Sequence, residues 1–225
     1  PVGLPENICP ELVSYVMAHG HEVIFEPISQ LTGLAKSAVH LYGYQAWQKG
    51  ASLSLDPLMT GWVRSLKTES AIVSFGHKKM LSIGYGGAFL TDDQSLAQEM
   101  AERGRWNSYY SHFLIEAIKG FYDHIQARWE TVSLWDKYLG DDLSRISQEQ
   151  LMPWRVMRRQ PAGRRERDGI VSYLRGAGIA VGTNYPPIGG HNEWGDTVLN
   201  FFCPPKAEKL EIQRACDVIK KALYG

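Results

Sequence analysis

The sequence predicts an α/β protein organised as two units, and three observations carry that expectation. Short apolar runs alternate with amphipathic stretches through the first hundred residues, the order produced when strands and helices alternate along a sheet. A long stretch of helical periodicity follows, from Phe113 to Tyr138. A second, shorter set of helix and strand signals begins near Leu151. The expected boundaries are residues 1-112 for a shortened large α/β unit, 113-150 for connecting helices, and 151-225 for a small α+β unit.

Taken in order, Val2 to Leu4 reads as a first strand. From Pro10 to His19, the residues Leu12, Val13, Val16 and Met17 share one helical face, and Gly20 supplies the stop. Strands are expected at Val23–Ile28, Ala38–Tyr42, Ser52–Asp56, Ala71–Phe75 and Gly86–Thr91. Thr91 and Gln94 have capping-box spacing for a helix running through Met100. In the long helix, Leu114, Ile118, Phe121, Ile125 and Trp129 mark one buried face. The last unit reads as a helix carrying Ile170, Val171 and Leu174 and stopped by Gly176. Strands at Ile179–Val181 and Val198–Phe202 follow, with a closing helix from Ala207 to Leu223.

Composition narrows the function classes. Of 225 residues 44% are apolar, enough for a packed core, and lysine plus arginine equals aspartate plus glutamate at 24 each. That balance removes the whole-molecule electrostatic case for nucleic acid or anionic membrane. Six arginines do fall between Arg155 and Arg167; they read first as a solvated surface entering a helix, with a phosphate-binding patch as the alternative. Cys9, Cys203 and Cys216 are far apart and odd in number, which suggests neither a disulfide framework nor a zinc site and fits a reducing compartment. No window has the length and apolarity of a membrane span, and the start lacks the pattern of a secretion signal, so a cytoplasmic protein is expected. Trp47, Trp62, Trp106 and Trp135 are read either as core or as exposed apolar patches at a subunit interface.

Familiar motifs fail. Gly84-Tyr-Gly-Gly lacks the third glycine of a dinucleotide fingerprint and leads into a strand rather than a helix. Gly76-His-Lys-Lys lacks the rest of a phosphate-binding loop. His19 and His21 sit two apart across Gly20 and read as a helix exit, not a metal pair. The stretch Ala71–Asp92 is different: a buried strand delivers Ser74 to a loop, Lys79 follows, and glycines 84, 86 and 87 lead into the next strand. A Schiff-base lysine needs such a setting, because its amine becomes nucleophilic where desolvation or a neighbouring cation such as Lys78 favours the neutral form. The glycines let backbone approach a ligand with no Cβ in the way.

This stretch resembles the lysine motif of the DegT/DnrJ/StrS sugar aminotransferases, a family of fold-type I pyridoxal 5'-phosphate (PLP) enzymes. Ser74, Phe75, Lys79, Gly84, Gly86, Gly87 and Thr91 fall in register with it. Val2 to Glu26, Val39-His-Leu-Tyr-Gly43 and Gly178 to Pro187 are similar to other family segments in the same order. The resemblance implies the aspartate aminotransferase fold, here a truncated large-domain sheet plus a small C-terminal α+β domain. It implies that Lys79 forms the Schiff base with PLP and shuttles the proton, that Ser74 contacts the cofactor phosphate, and that Gly84 and Gly86 line the cofactor. Asp56 lies where the family pairs an aspartate with the pyridine nitrogen, and a cap before Pro57 is its alternative reading. Asn184 and Tyr185 are expected at the substrate. The implied reaction moves an amino group from an amino acid, glutamate being the expected donor, to a keto-sugar, nucleotide-linked by expectation, in a homodimer.

The sequence also departs from the family. Its phosphate-binding turn would precede Pro1, the stretch from Gly43 to Asp56 is short, Met59 stands where a Gln or His is usual, and Tyr85 replaces an acidic residue. Three readings therefore stand: a PLP-dependent aminotransferase, a non-catalytic or repurposed homologue that binds or scaffolds after losing the phosphate cup, and a fragment whose missing half is a separate polypeptide.

Overall fold

In the computed structural model, the described residues are 1–26, 35–40, 52–55, 70–77, 79–146, 152–160, 164–183, 188, 190 and 193–225. Their contacts divide the chain into two compact units, Pro1–Tyr122 and Asp123–Gly225.

The first unit is organised by a six-stranded sheet. Its strands are β1 (Val2–Pro5), β2 (Val23–Glu26), β3 (Ala35–His40), β4 (Ser52–Leu55), β5 (Ser70–Ser74) and β6 (Gly87–Thr91). They lie in the order β2-β1-β3-β4-β5-β6, all parallel except β6, which runs antiparallel to β5. The expected strands at 23–28, 38–42 and 52–56 thus correspond to β2, β3 and β4; Pro27, Ile28, Leu41, Tyr42 and Asp56 lie outside the described residues. Parallel neighbours need crossovers, and helix α1 (Pro10–Ala18) supplies the one between β1 and β2. Pro10 occupies its first turn, where a missing N–H costs nothing, and Gly20 leaves it at φ +79°.

Helix α2 (Gln94–Arg103) begins differently from expectation. Asp93, not Thr91, is the N-cap: its carboxylate accepts the Leu96 N–H at 3.0 Å, while Thr91 Oγ1 accepts the N–H of Asp93 at 3.1 Å. A carboxylate beside the positive helix end outcompetes a threonine hydroxyl one turn earlier. The long helix expected from Phe113 to Tyr138 is two helices, α3 (Tyr109–Lys119) and α4 (Phe121–Leu139), broken at Gly120. Glycine is the poorest helix former after proline, and apolar periodicity on both sides concealed the break.

The second unit is a four-stranded antiparallel sheet in the order β7-β8-β10-β9, from β7 (Ser144–Arg145), β8 (Arg155–Arg159), β9 (Val181–Gly182) and β10 (Val198–Phe202). Helices α5 (Arg164–Gly176), α6 (Glu193–Thr197) and α7 (Lys209–Tyr224) join the part of α4 beyond Asp123. One core gathers Trp135 and Leu139 of α4, Leu174 of α5, Cys216 and Ile219 of α7, and Val156, Leu199 and Phe201 of the sheet. Trp135 stacks on Phe201 with ring centroids 4.8 Å apart and donates its indole N–H to the Phe202 carbonyl at 3.1 Å. The tryptophan expectation therefore resolves to core for Trp135 and to the surface for Trp106, while Trp47 and Trp62 lie outside the described residues. Cys203 and Cys216 are buried in this unit, and burial pushes both thiols up to about 12, so they stay protonated at neutral pH.

The arginine-rich stretch is a solvated surface only in part. Arg158 and Arg167 are buried. Arg158 reaches from the sheet to the Asp136 carboxylate on α4 and donates to the Met157 carbonyl. Arg167 donates to the Gly195 carbonyl at 2.5 Å and to Asp168 at 2.8 Å, and Arg164 pairs with Asp196 at 2.5 Å. Strand alternation places Arg158 on the same face as Val156, toward the helices, and Arg155 on the other, where its guanidinium lies over the Phe202 ring.

On α4, Arg128 donates Nε–H to His124 Nε2 at 2.7 Å and Nη1–H to the Cys203 carbonyl at 2.7 Å. Desolvation first, and the Arg128 charge second, hold His124 below its usual range. The neutral ring is thus favoured by folding. Its contribution is complete above the unfolded value of about 6.5 and is lost as pH falls below it, toward the lowered folded value. Between pH 7.5 and 5.5 the urea midpoint of unfolding is expected to fall more in the parent protein than in His124→Gln; equal falls would remove His124 from the account.

Among the described residues, no helix is long and apolar enough to cross a membrane, and no group of three or more metal-ligating side chains is present.

Candidate functional site

The candidate site is a loop between two hydrogen-bonded strands. The β5–β6 ladder pairs Ser74 with Gly87 and does not stop there: the Phe75 N–H donates to the Gly86 carbonyl at 2.9 Å, and Gly76 bridges Gly84. The Ile83 N–H donates to the Phe75 carbonyl at 3.1 Å. These bonds cinch the base of a loop whose tip carries Lys79, and the Lys79 N–H itself closes a turn onto the Gly76 carbonyl at 2.9 Å. Phe75, Met80 and Leu81 are buried, so the loop is anchored by apolar side chains on both sides of its lysine. Lys79 is half-buried.

Two glycines are required by geometry. Gly86 sits at φ +82°, where a side chain is strained, and a Cβ there would lie 2.6 Å from the Trp106 ring. A Cβ on Gly87 would run into the Val73 carbonyl of the neighbouring strand. Gly84, at φ +81°, turns the chain back toward the ladder.

Ser74 ends β5 at the loop base, half-buried, and its Oγ accepts the Gly76 N–H at 3.3 Å. With that lone pair engaged, its O–H proton remains available to an anionic ligand. By strand alternation Ser74 shares a face with Ile72, which is exposed although β5 is an interior strand, so this face of the sheet is open beside the serine.

The structure thus brings together Ser74, Lys79, Gly84 and Gly86. Asp56, Asn184 and Tyr185, and with them Met59 and Lys78, lie outside the described residues. The sequence reasoning missed the neighbourhood of Tyr85. Its ring lies 4.7 Å from that of Tyr110, and Trp106 meets Tyr110 edge-on at 6.4 Å. The density of aromatic residues from Trp106 to Phe113 was the available signal, but helical periodicity assigned part of it to a buried face. Instead α3 buries none of its residues.

The described residues fit a phosphorylated aldehyde cofactor. A half-buried lysine in an anchored loop, a serine hydroxyl free to donate at the loop base, and glycines that admit close approach form a consistent donor set.

Comparison with solved structures establishes the fold. The chain superimposes on a DegT DnrJ EryC1 StrS aminotransferase from Brucella abortus with a TM-score of 0.76 at 17% identity, covering 100% of this chain and 79% of that one. Against Helicobacter pylori PseC, an aminotransferase involved in the biosynthesis of pseudoaminic acid, the TM-score is 0.79 at 12% identity, covering 99% and 79%. Against DesI, solved in the presence of its TDP-sugar product, it is 0.80 at 17% identity, covering 100% and 75%. The fold is that of the PLP-dependent aminotransferases, as the lysine motif led one to expect. No protein-family profile matches the sequence, and no curated protein matches it.

Proposed function

We propose that the protein is a PLP-dependent aminotransferase that passes an amino group from an amino acid, glutamate in this reading, to a nucleotide-linked keto-sugar. The observation that carries it is the cinched loop that bears Lys79 and grows from the strand end presenting Ser74. The likeness to solved sugar aminotransferases supports it. When bound, the cofactor supplies an electron sink that lets an amino group move between an amino acid and a carbonyl.

The chain's own residues do the rest. Lys79 would hold the cofactor through its Nζ, and the same amine, when neutral, would serve as the base that moves a proton at the site. Ser74 Oγ–H donates to the phosphate, and Gly84 and Gly86 let backbone pass close to it. In this reading Asp56 would hold the cofactor through its ring nitrogen, and Asn184 and Tyr185 would orient the sugar. A cytoplasmic homodimer completes the reading; Ile115, Ile118 and Tyr122, all exposed, are the apolar surface that supports a second copy.

The test is chemical. Incubation with PLP followed by borohydride is expected to leave a reduced pyridoxyl group on the peptide containing Lys79, and Lys79→Ala is expected to carry none. An unmodified Lys79 peptide at saturating PLP overturns the reading and favours the repurposed homologue.

A further inference from the structure

We propose that Tyr85, Trp106 and Tyr110 form a stacking shelf for the planar base of a nucleotide, with Arg105 as the partner of its phosphate. The proposal deepens the reading above and rests on it for the nature of the substrate. Four observations carry it. First, the rings form one contiguous cluster: Tyr85 lies 4.7 Å from Tyr110 at 31°, Trp106 meets Tyr110 at 63°, and Tyr109 meets it at 79° and 5.7 Å. Second, the cluster is fixed before any ligand arrives. The Trp106 Nε1–H donates to Ser111 Oγ at 2.6 Å, and the indole rests on the bare Cα of Gly86, where any other residue would displace it.

Third, the rings remain open to solvent: Tyr85 is 47% exposed and Trp106 41%. Tyr85 stands between the two left-handed glycines at the base of the Lys79 loop, so the shelf is continuous with the candidate site. Fourth, Arg105, next to Trp106, is exposed and makes no ion pair among the described residues, whereas its neighbour Arg103 is held by Glu99. Cores of protein–protein interfaces are depleted in charge. A ring cluster with an exposed arginine on the adjoining residue suits a ligand that is both planar and anionic, because stacking takes the base and a charge-assisted hydrogen bond takes the phosphate.

The experiment is a titration of tryptophan fluorescence with thymidine 5′-diphosphate and with uridine 5′-diphosphate, using the full chain. Saturable quenching is expected from at least one of them, lost in Trp106→Phe, which identifies the reporting indole. Tyr85→Leu is expected to weaken binding about tenfold, the order of one lost stacking contact, while Tyr85→Phe retains it. Arg105→Gln is expected to weaken the diphosphate and leave the free nucleoside unchanged. Quenching of the parent protein without a borohydride adduct separates this proposal from the one before it. No saturable quenching up to millimolar nucleotide overturns the proposal, as does equal binding by Tyr85→Leu. Quenching on raising the protein concentration alone also overturns it, since the shelf would then be covered by a second copy.

Discussion

Phe201→Ala is expected to destabilise the second unit by about 3–5 kcal/mol, the range for removing a large aromatic ring from a closed core. Phe201 is fully buried on an interior strand of its sheet and is stacked on Trp135. Truncation removes its buried apolar area and the stacking contact, and leaves a cavity between sheet and helices that a three-helix, four-strand packing has little freedom to close. Its chain neighbour gives the control. Phe202 points to the opposite face, is about half exposed, and lies beneath the Arg155 guanidinium. Phe202→Ala is therefore expected to cost only about 1 kcal/mol, the value of a partly exposed cation–π contact. Urea unfolding of both variants decides the matter; equal losses would mean the two faces of β10 are assigned wrongly.

The second large effect concerns a charge. Asp136→Leu is expected to lower stability by about 3 kcal/mol, because it leaves the Arg158 guanidinium buried without its carboxylate. The figure sits at the low end for a broken buried pair, since Asp136 is itself about a third exposed and water reaches its side of the contact. The double variant Asp136→Leu/Arg158→Met is expected to recover most of the loss, because the same volume is then filled without an unpaired charge. A double variant as unstable as the single one would show that Arg158 acts through packing alone. The recovery isolates the electrostatic part.

These two positions show how unevenly the fold could be read from the chain. The core positions Ile170, Val171 and Leu174 sit where helical periodicity puts them, and their helix ends at Gly176 as expected. Arg158 and Arg167 belong to the same region but were misread as surface. Nothing local distinguishes a solvated arginine from a buried, paired one, because Asp136 lies 22 residues before Arg158 and Gly195 lies 28 residues after Arg167. Gly120 likewise divides two helices whose apolar spacing looks continuous.

The candidate site was legible for the opposite reason: it is local. Ser74, Lys79, Gly84, Gly86 and Gly87 fall within one hairpin, and glycine is demanded where φ is positive or a neighbouring strand approaches too closely for a Cβ. Conformational needs of that kind are written residue by residue, so the sequence by itself determined the alternation of strands and helices, the lysine loop and its glycines. Only the tertiary structure decided which arginines are buried, and that Tyr85 meets Tyr110, which in turn meets Trp106. Those outcomes depend on which side chains competing for one place win it, and that competition exists only once distant segments have been brought together.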